Sequence, residues 1–470
     1  MKTSTRFLSS SAFVLVILLA ATAAFWHLSA QQRATIPIIG QGGVPNIAVT
    51  DFRATGAAQQ LMATFNGTVL GDLQGSPLVK FVPKTEYPLP VPQTPNDFIS
   101  TPAPNDGRPV TPNGLRLTDW GLPPAAAGFL GFGYGAEQNG QLVLFGYFYA
   151  TSTTIATLQQ AQVFAKPYIG TLDEDGARRI GHQYAADILA QFGGKSLIGT
   201  RIIFVSDRTG NKEIWSMSYD GTDQRQITHF GGINNFPAVS PDGKKLGFTS
   251  WRHGQPEIVL LSLETGRQLP FYNQHASMNA FVDFAPDGQH VIFSSTAAGG
   301  PAQLYMSDIN GGNLHRVTAS NSIEVEPKIN PKTGADIVWV SGRTGLPQIY
   351  KMNLEGADIQ RLTNGEGEAT NPAWAPNGSS LAFAWTKGFE PGAYNIFVMQ
   401  DVTSRNIVQL TTNEGRNENP SWAPDNAHIA YASKRGRNSQ IWVMLANGTD
   451  KQQLTNAGSN EKPVWTPAVQ

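Results

Sequence analysis

The chain has 470 residues, 40% of them apolar, and its 34 Lys and Arg against 35 Asp and Glu leave a formal charge of -1. That length supplies more than one core, and so even a balance gives no electrostatic case for a nucleic-acid or anionic-membrane partner. Cysteine is absent, which excludes a disulfide framework, a thiolate metal site, a cysteine nucleophile and the bacterial lipid anchor that is attached to a cysteine after the export signal.

Residues 1–30 read as that export signal. Lys2 and Arg6 precede an apolar run from Ala12 to Phe25, and small residues follow, ending Leu28-Ser29-Ala30, the three-part order of a secretory leader. Cleavage after Ala30 or after Ala23 fits equally. An uncleaved anchor is the competing reading, and the run is shorter than the roughly 20 residues a spanning helix needs. No second apolar span follows, so no direct membrane insertion is expected of the mature chain.

Residues 31–195 are expected to form a small α/β domain. Asn46 to Phe52 predicts a strand, and Ala57 to Leu73 a helix with Leu61, Phe65, Val69 and Leu73 on one face. Leu78 to Val82 predicts a second strand. Between Pro83 and Pro124 stand eleven prolines, too many missing donors for a sheet interior, so an extended loop is expected there. Phe129 to Tyr134 and Leu142 to Tyr149 flank Asn139-Gly140 as a hairpin, Gln162 to Ile169 adds a strand, and Asp173 to Phe192 closes the domain as a helix. Acids fill that helix's first turn and Gly193-Gly194 stops it.

From residue 200 to 470 one pattern is written six times. A turn proline falls at Pro241, Pro286, Pro331, Pro376, Pro424 and Pro467, at spacings of 45, 45, 45, 48 and 43 residues, within the roughly 40–50 residue period of propeller blades. The segments between turns alternate every second residue, as in Leu381 to Trp385 and His428 to Ala432, the period of half-buried strands. Each period supplies four: a before the Pro-Asp-Gly turn, b after it, c at Ile-x-x-Met, d at a closing Leu-Thr such as Leu410-Thr411. The first unit begins at strand b (Ile202 to Ser206) and the last ends on a lone strand a (Lys462 to Pro467). Docking the last onto the first pairs both open edges. The expected fold is therefore multidomain and mainly β: a small N-terminal α/β domain, then a six-bladed β-propeller closed by the C-terminal strand.

Antiparallel blades put the d-to-a and b-to-c connections at one end. The d-to-a loops carry His275 and Met278, Glu324 and Glu326, Glu368 and Asn371, Glu418 and Asn419, and Glu461, so carboxylates and amides from several blades are expected at one channel mouth. Such a ring suits partner binding. Its carboxylates would repel one another, which a basic partner or a Ca²⁺ ion would relieve, whereas local capping and solvation is the plainer alternative. No catalytic set is expected. Gly-x-Ser-x-Gly is missing, and Gly194-Lys195-Ser196 lacks the first glycine of a phosphate loop, since Leu189 stands there. His229, His253 and His275 are read as surface histidines rather than metal ligands, and Arg208, Arg252 and Arg343 as turn residues rather than an acidic-ligand ring.

The order of leader, α/β domain, closing helix from His182 through Ala186-Asp187-Ile188-Leu189 to Phe192-Gly193-Gly194, entry strand Thr200 to Ser206 and six repeats of the Pro-Asp-Gly type, each with its turn proline, resembles the TolB family of the periplasmic Tol-Pal system. The resemblance covers nearly the whole mature chain, and the Pro-rich loop at 83–124 departs from it. It implies a non-enzymatic periplasmic scaffold that takes a Pal-like, peptidoglycan-associated lipoprotein on the loop face, with His275, Met278 and Glu324 to Glu326 in the contact surface. It further implies that Gln31 to Val44 engages a TolA-like inner-membrane protein. The repeat also occurs in other propellers, so a carbohydrate-binding or polysaccharide-degrading protein using the channel mouth is the alternative.

Overall fold

The computed structural model describes residues 44–467 apart from 75, 77, 90, 100–114, 153–156 and 389–391. The expected export signal and most of the Gln31 to Val44 segment lie outside the described residues. Among the described residues no helix is long and apolar enough to cross a membrane.

The α/β domain is built on one sheet. Its strands are β1 (Asn46–Val49), β2 (Arg53–Ala54), β3 (Lys80–Phe81), β4 (Phe129–Gln138), β5 (Gln141–Ala150) and β6 (Gln162–Thr171), in the order β3-β1-β4-β5-β6, with β2 beside β4. The first strand is shorter than the alternation suggested. At Phe52 the side-chain amide of Asn66 takes over both backbone groups, accepting from the N–H at 2.9 Å and donating to the carbonyl at 3.0 Å. The hairpin is longer than expected, because Asn139 and Gly140 both adopt positive φ, 51° and 73°, the two-residue turn that matches strand twist.

The four-residue stripe does form a helix face, although its first turn, Gly56–Leu61, is 3₁₀ and the α-helix proper is α1 (Met62–Gln74). After a short helical turn, α2 (Leu158–Ala161), helix α3 (Glu174–Ala190) starts on Asp173, whose carboxylate accepts from the Gly176 N–H at 2.7 Å. Both long helices bury one face in a core with the sheet: Phe65, Val69 and Leu73 from α1, and Ala177, Ile180, Tyr184 and Ile188 from α3. They approach closely at Gly181, where a Cβ would come within 3.1 Å of Thr68.

The proline-rich stretch is not simply an extended loop. Its described residues hold three 3₁₀ turns (Lys84–Glu86, Pro95–Asp97 and Leu117–Gly121), and Phe98, Leu117, Trp120, Ala125 and Ala127 form a second core with Ala48, Leu130, Phe132 and Tyr149. Prolines keep a segment out of a ladder by removing donors. They do not stop its apolar neighbours from covering the sheet.

The propeller has six four-stranded antiparallel sheets. The innermost strands, from blade 1 to blade 6, are Asn460–Trp465, Asn234–Val239, Asn279–Phe284, Glu324–Ile329, Ala369–Trp374 and Arg416–Trp422. The ring closes as expected: in blade 1 the C-terminal strand pairs with Arg201–Ser206, Val464 opposite Ile203 and Trp465 opposite Ile202. The cores lie between blades. Ile203, Val205 and Ile214 of blade 1, for example, pack on Leu246, Phe248 and Val259 of blade 2.

One strand assignment is corrected. Strand d is the two or three residues before the Leu-Thr, such as Gln360–Arg361 and Ile407–Gln409. The threonine that follows turns its hydroxyl back onto strand c: Thr228, Thr318, Thr363, Thr411 and Thr455 each accept the N–H of the isoleucine or leucine near the start of that strand, at 2.8–2.9 Å. In blade 2 the Asn273 amide does the same for Ile258. The repeated threonine is thus a side-chain cap rather than a ladder residue.

Candidate binding face of the propeller

The α/β domain meets the propeller at the end carrying the Pro-Asp-Gly and c-to-d turns, through Tyr219 and Asp220 of blade 1. The d-to-a and b-to-c loops are at the other end, because antiparallel strands send alternate connections to opposite ends.

Every innermost strand carries a bulge at its loop end. In blade 2 the register jumps from Asn235 opposite Thr249 to Ala238 opposite Gly247, and the other five blades repeat the jump. The third residue, or its equivalent five before the turn proline, has φ of 53–60°. Five of the six residues that follow are prolines, tolerated where no ladder donor is needed. These third residues are Phe236, Phe281, Glu326, Asn371, Asn419 and Lys462, all half-buried. They touch from blade to blade. The Glu326 carboxylate accepts from the Asn371 backbone N–H at 2.7 Å, and the Asn371 side-chain Oδ1 accepts from the Asn419 backbone N–H at 3.3 Å. Phe236 and Phe281 pack with ring centroids 4.2 Å apart, and Lys462 Nζ stands 4.8 Å from the Phe236 centroid. The ring around the axis therefore has an amide and carboxylate arc in blades 4 to 6 and an aromatic arc in blades 2 and 3.

Of the expected site residues, the structure brings Glu326, Asn371 and Asn419 together. It removes Glu324, the first residue of its strand, from the mouth: that side chain is fully buried and accepts hydrogen bonds from Ser320, from Trp339 Nε1 and, at 2.9 Å, from Arg343. First residues point into the blade, as Asn234 and Asn279 also do, each accepting a serine hydroxyl of the next strand. The other acids have partners too. Glu368 accepts the Tyr394 hydroxyl at 2.5 Å, Glu418 pairs with Arg416, and Glu461 takes Lys212 Nζ at 2.9 Å. Glu418 and Glu461 are thus paired with cations and Glu326 and Glu368 with neutral donors, and among the described residues no group of three or more His, Asp or Glu is placed to hold a metal.

His275 is exposed on the loop into blade 3, and Met278 is half-buried beside it, its N–H bonded to Thr296 Oγ1 at 3.1 Å. His253 pairs with Glu257 of its own blade. The turn arginines fold back over aromatic rings, Arg208 on Trp215 at 4.5 Å and Arg343 on Tyr350 at 4.9 Å, which accounts for their recurrence.

Sequence reasoning missed Phe236, Phe281 and Lys462. Alignment on the turn proline would have found them, since all six ring residues stand five positions before it. It also missed the apolar rim that Ile233, Ile323 and Leu346 add, each about half exposed.

These features define a six-bladed β-propeller carrying an α/β domain on one end and a loop face on the other. Residues 193–384 and 362–470 match the profile of the TolB beta propeller domain, and the chain belongs to that family. It is 34% identical over 140 residues to the Protein TolB homolog of Chlorobium chlorochromatii, a match covering 30% of each chain. To the Tol-Pal system protein TolB of Dinoroseobacter shibae it is 30% identical over 228 residues, 47% of this chain and 45% of that one. The matched segments thus span less than half of those relatives. The crystal structure of TolB from Acinetobacter baumannii shares the fold, with a TM-score of 0.69 at 20% identity over 91% of this chain and 97% of that one.

Proposed function

We propose that the protein is a non-catalytic scaffold of the periplasmic Tol-Pal cell-envelope system. Its loop face takes a Pal-like, peptidoglycan-associated lipoprotein, and the segment 31–44 engages a TolA-like inner-membrane partner. The observation that carries the first half is the loop face itself. It combines an aromatic pair and exposed aliphatic side chains with amides, and its acids are internally paired, so recognition there works by shape and hydrogen bonding rather than by net charge. His275, Met278, Glu326, Asn371 and Asn419, joined by Phe236 and Phe281, would form the contact surface. Glu368, Glu418 and Glu461 would stand at its edge.

Calorimetric titration of the mature chain with the soluble domain of a Pal-like lipoprotein from the same cells tests this. Phe236→Ala, and separately His275→Ala with Glu326→Ala, should each weaken binding by about 10-fold to 100-fold, the effect of losing a central anchor. Unchanged affinity in both would overturn the assigned surface.

A further inference from the structure

The polar contacts described between the α/β domain and the propeller converge on one imidazole. His182 of α3 directs Nδ1 at Asp72 of α1, 2.7 Å away, and Nε2 at Asp220 of propeller blade 1, 3.3 Å away. Tyr219, beside Asp220 in the same turn, donates its hydroxyl to Asp72 at 3.2 Å, sits within bonding reach of His182 Nδ1, and meets the imidazole edge-on at 4.9 Å. The Asp220 carboxylate is fixed from its own side by the Thr222 hydroxyl at 2.6 Å and the Thr222 N–H at 3.0 Å. His182, Asp72 and Asp220 each have side chains at most 20% exposed.

We propose that His182 is an ionised latch: it holds the α/β domain on the propeller only while both ring nitrogens carry protons, and losing one proton releases the domain without unfolding either part. A neutral ring would leave the Asp72 and Asp220 carboxylates with no cation between them, even with the Tyr219 hydroxyl donating to Nδ1. Whichever nitrogen is deprotonated turns a lone pair toward a carboxylate, Asp72 on the domain side or Asp220 on the propeller side. Burial works against the charge, but the hydrogen bonds to Asp220 and Asp72 outweigh it and raise the imidazole to about 9. Burial would lift Asp220 likewise, yet its bonds from His182 and Thr222 hold it at about 2.

The surroundings allow movement. A cleft of about 800 Å³ adjoins the cluster, and Arg178 of α3, Lys195 of the connecting segment, and Asp425, His428 and Asp450 of blade 6 also line it. Of these, Arg178 is paired with Asp175 and His428 with Asp425, so neither offers His182's carboxylates a replacement cation. The connection between the domains contains Gly193, Gly194 and Gly199, the first and last at positive φ.

The absence of native cysteine makes the test direct. Spin labels on Ile169→Cys of β6 and Thr265→Cys of blade 2, both exposed, report the separation of the two parts in the mature full-length chain. At pH 7 the parent should give a narrow distance distribution that broadens at least twofold as pH rises through about 9. His182→Gln should be broad already at pH 7, with the propeller's near-ultraviolet dichroism and melting midpoint unchanged. A parent distribution that stays narrow to pH 10.5 overturns the latch, and so does a folded His182→Gln chain as narrow as the parent. Should His182→Gln fail to fold, the pH series on the parent decides alone.

Discussion

Two seams hold this molecule together, and they are built from different materials. Where the propeller closes, the C-terminal strand lies against Arg201–Ser206 in a backbone ladder, Trp465 is sunk among Ile202, Phe204 and the neighbouring Ala430 and Ala432, and its Nε1 donates to Thr200 at 2.9 Å. Where the α/β domain meets the propeller, a His, a Tyr and two Asp side chains make the polar contacts. Ladder hydrogen bonds and apolar burial respond little to pH, whereas a seam made of an imidazolium between carboxylates depends on it. The closing seam thus acts as part of the fold, and the domain seam as a joint.

The most severe way to break the comparison is at the closing strand. Trp465→Ala removes a ring that is 6% exposed and leaves both a cavity between blades 1 and 6 and the Thr200 hydroxyl without its donor. Large aromatic truncations of this kind cost about 3–5 kcal/mol, and the expected result in a urea titration is a lower midpoint for the whole propeller, with the same loss at pH 6 and pH 8.

The domain seam should behave the opposite way. Against burial, the hydrogen bonds to Asp220 and Asp72 raise His182 from 6.5 to about 9, and the Asp220 share of that shift is coupling between the domains, because Asp72 belongs to the same domain as His182. Because the folded value lies above the unfolded one, that contribution is complete below about pH 6.5 and is lost as pH rises through about 9. Calorimetry should therefore show one joint transition at pH 6 that separates toward two at pH 10. A single transition at both values would refute the joint.

The closing seam was readable from the residues alone because the turn proline is a covalent marker repeated in register, and the missing first strand and surplus last one could be matched by counting. The domain seam was not. Asp72, His182 and Asp220 are separated by more than a hundred and by nearly forty positions, and no periodicity links them. The candidate face was legible in part for the same reason. Selecting by residue type found Glu326, Asn371 and Asn419 but passed over Phe236 and Phe281, which occupy the same bulge position. It also placed Glu324 at the mouth, since strand alternation cannot show that Arg343 and Trp339, on the next strand and turn, receive that carboxylate inside the blade. The second core escaped notice because Phe98, Leu117 and Trp120 follow no period among the prolines.

The smallest expected effect sharpens the contrast within the closing seam itself. Lys212 and Glu461 join the first blade's loop to the final strand at 2.9 Å, with about a third of each side chain exposed. A pair so open to water is screened and loses side-chain freedom in forming, so it contributes less than about 1 kcal/mol. Lys212→Ala should shift the urea midpoint only slightly, and 0.5 M NaCl should abolish the difference from the parent. The ring would then be closed by its ladder and by Trp465, with the ion pair setting only the local position of the loop. A loss as large as that of Trp465→Ala would mean that closure depends on charge after all, and the distinction between the two seams would fall.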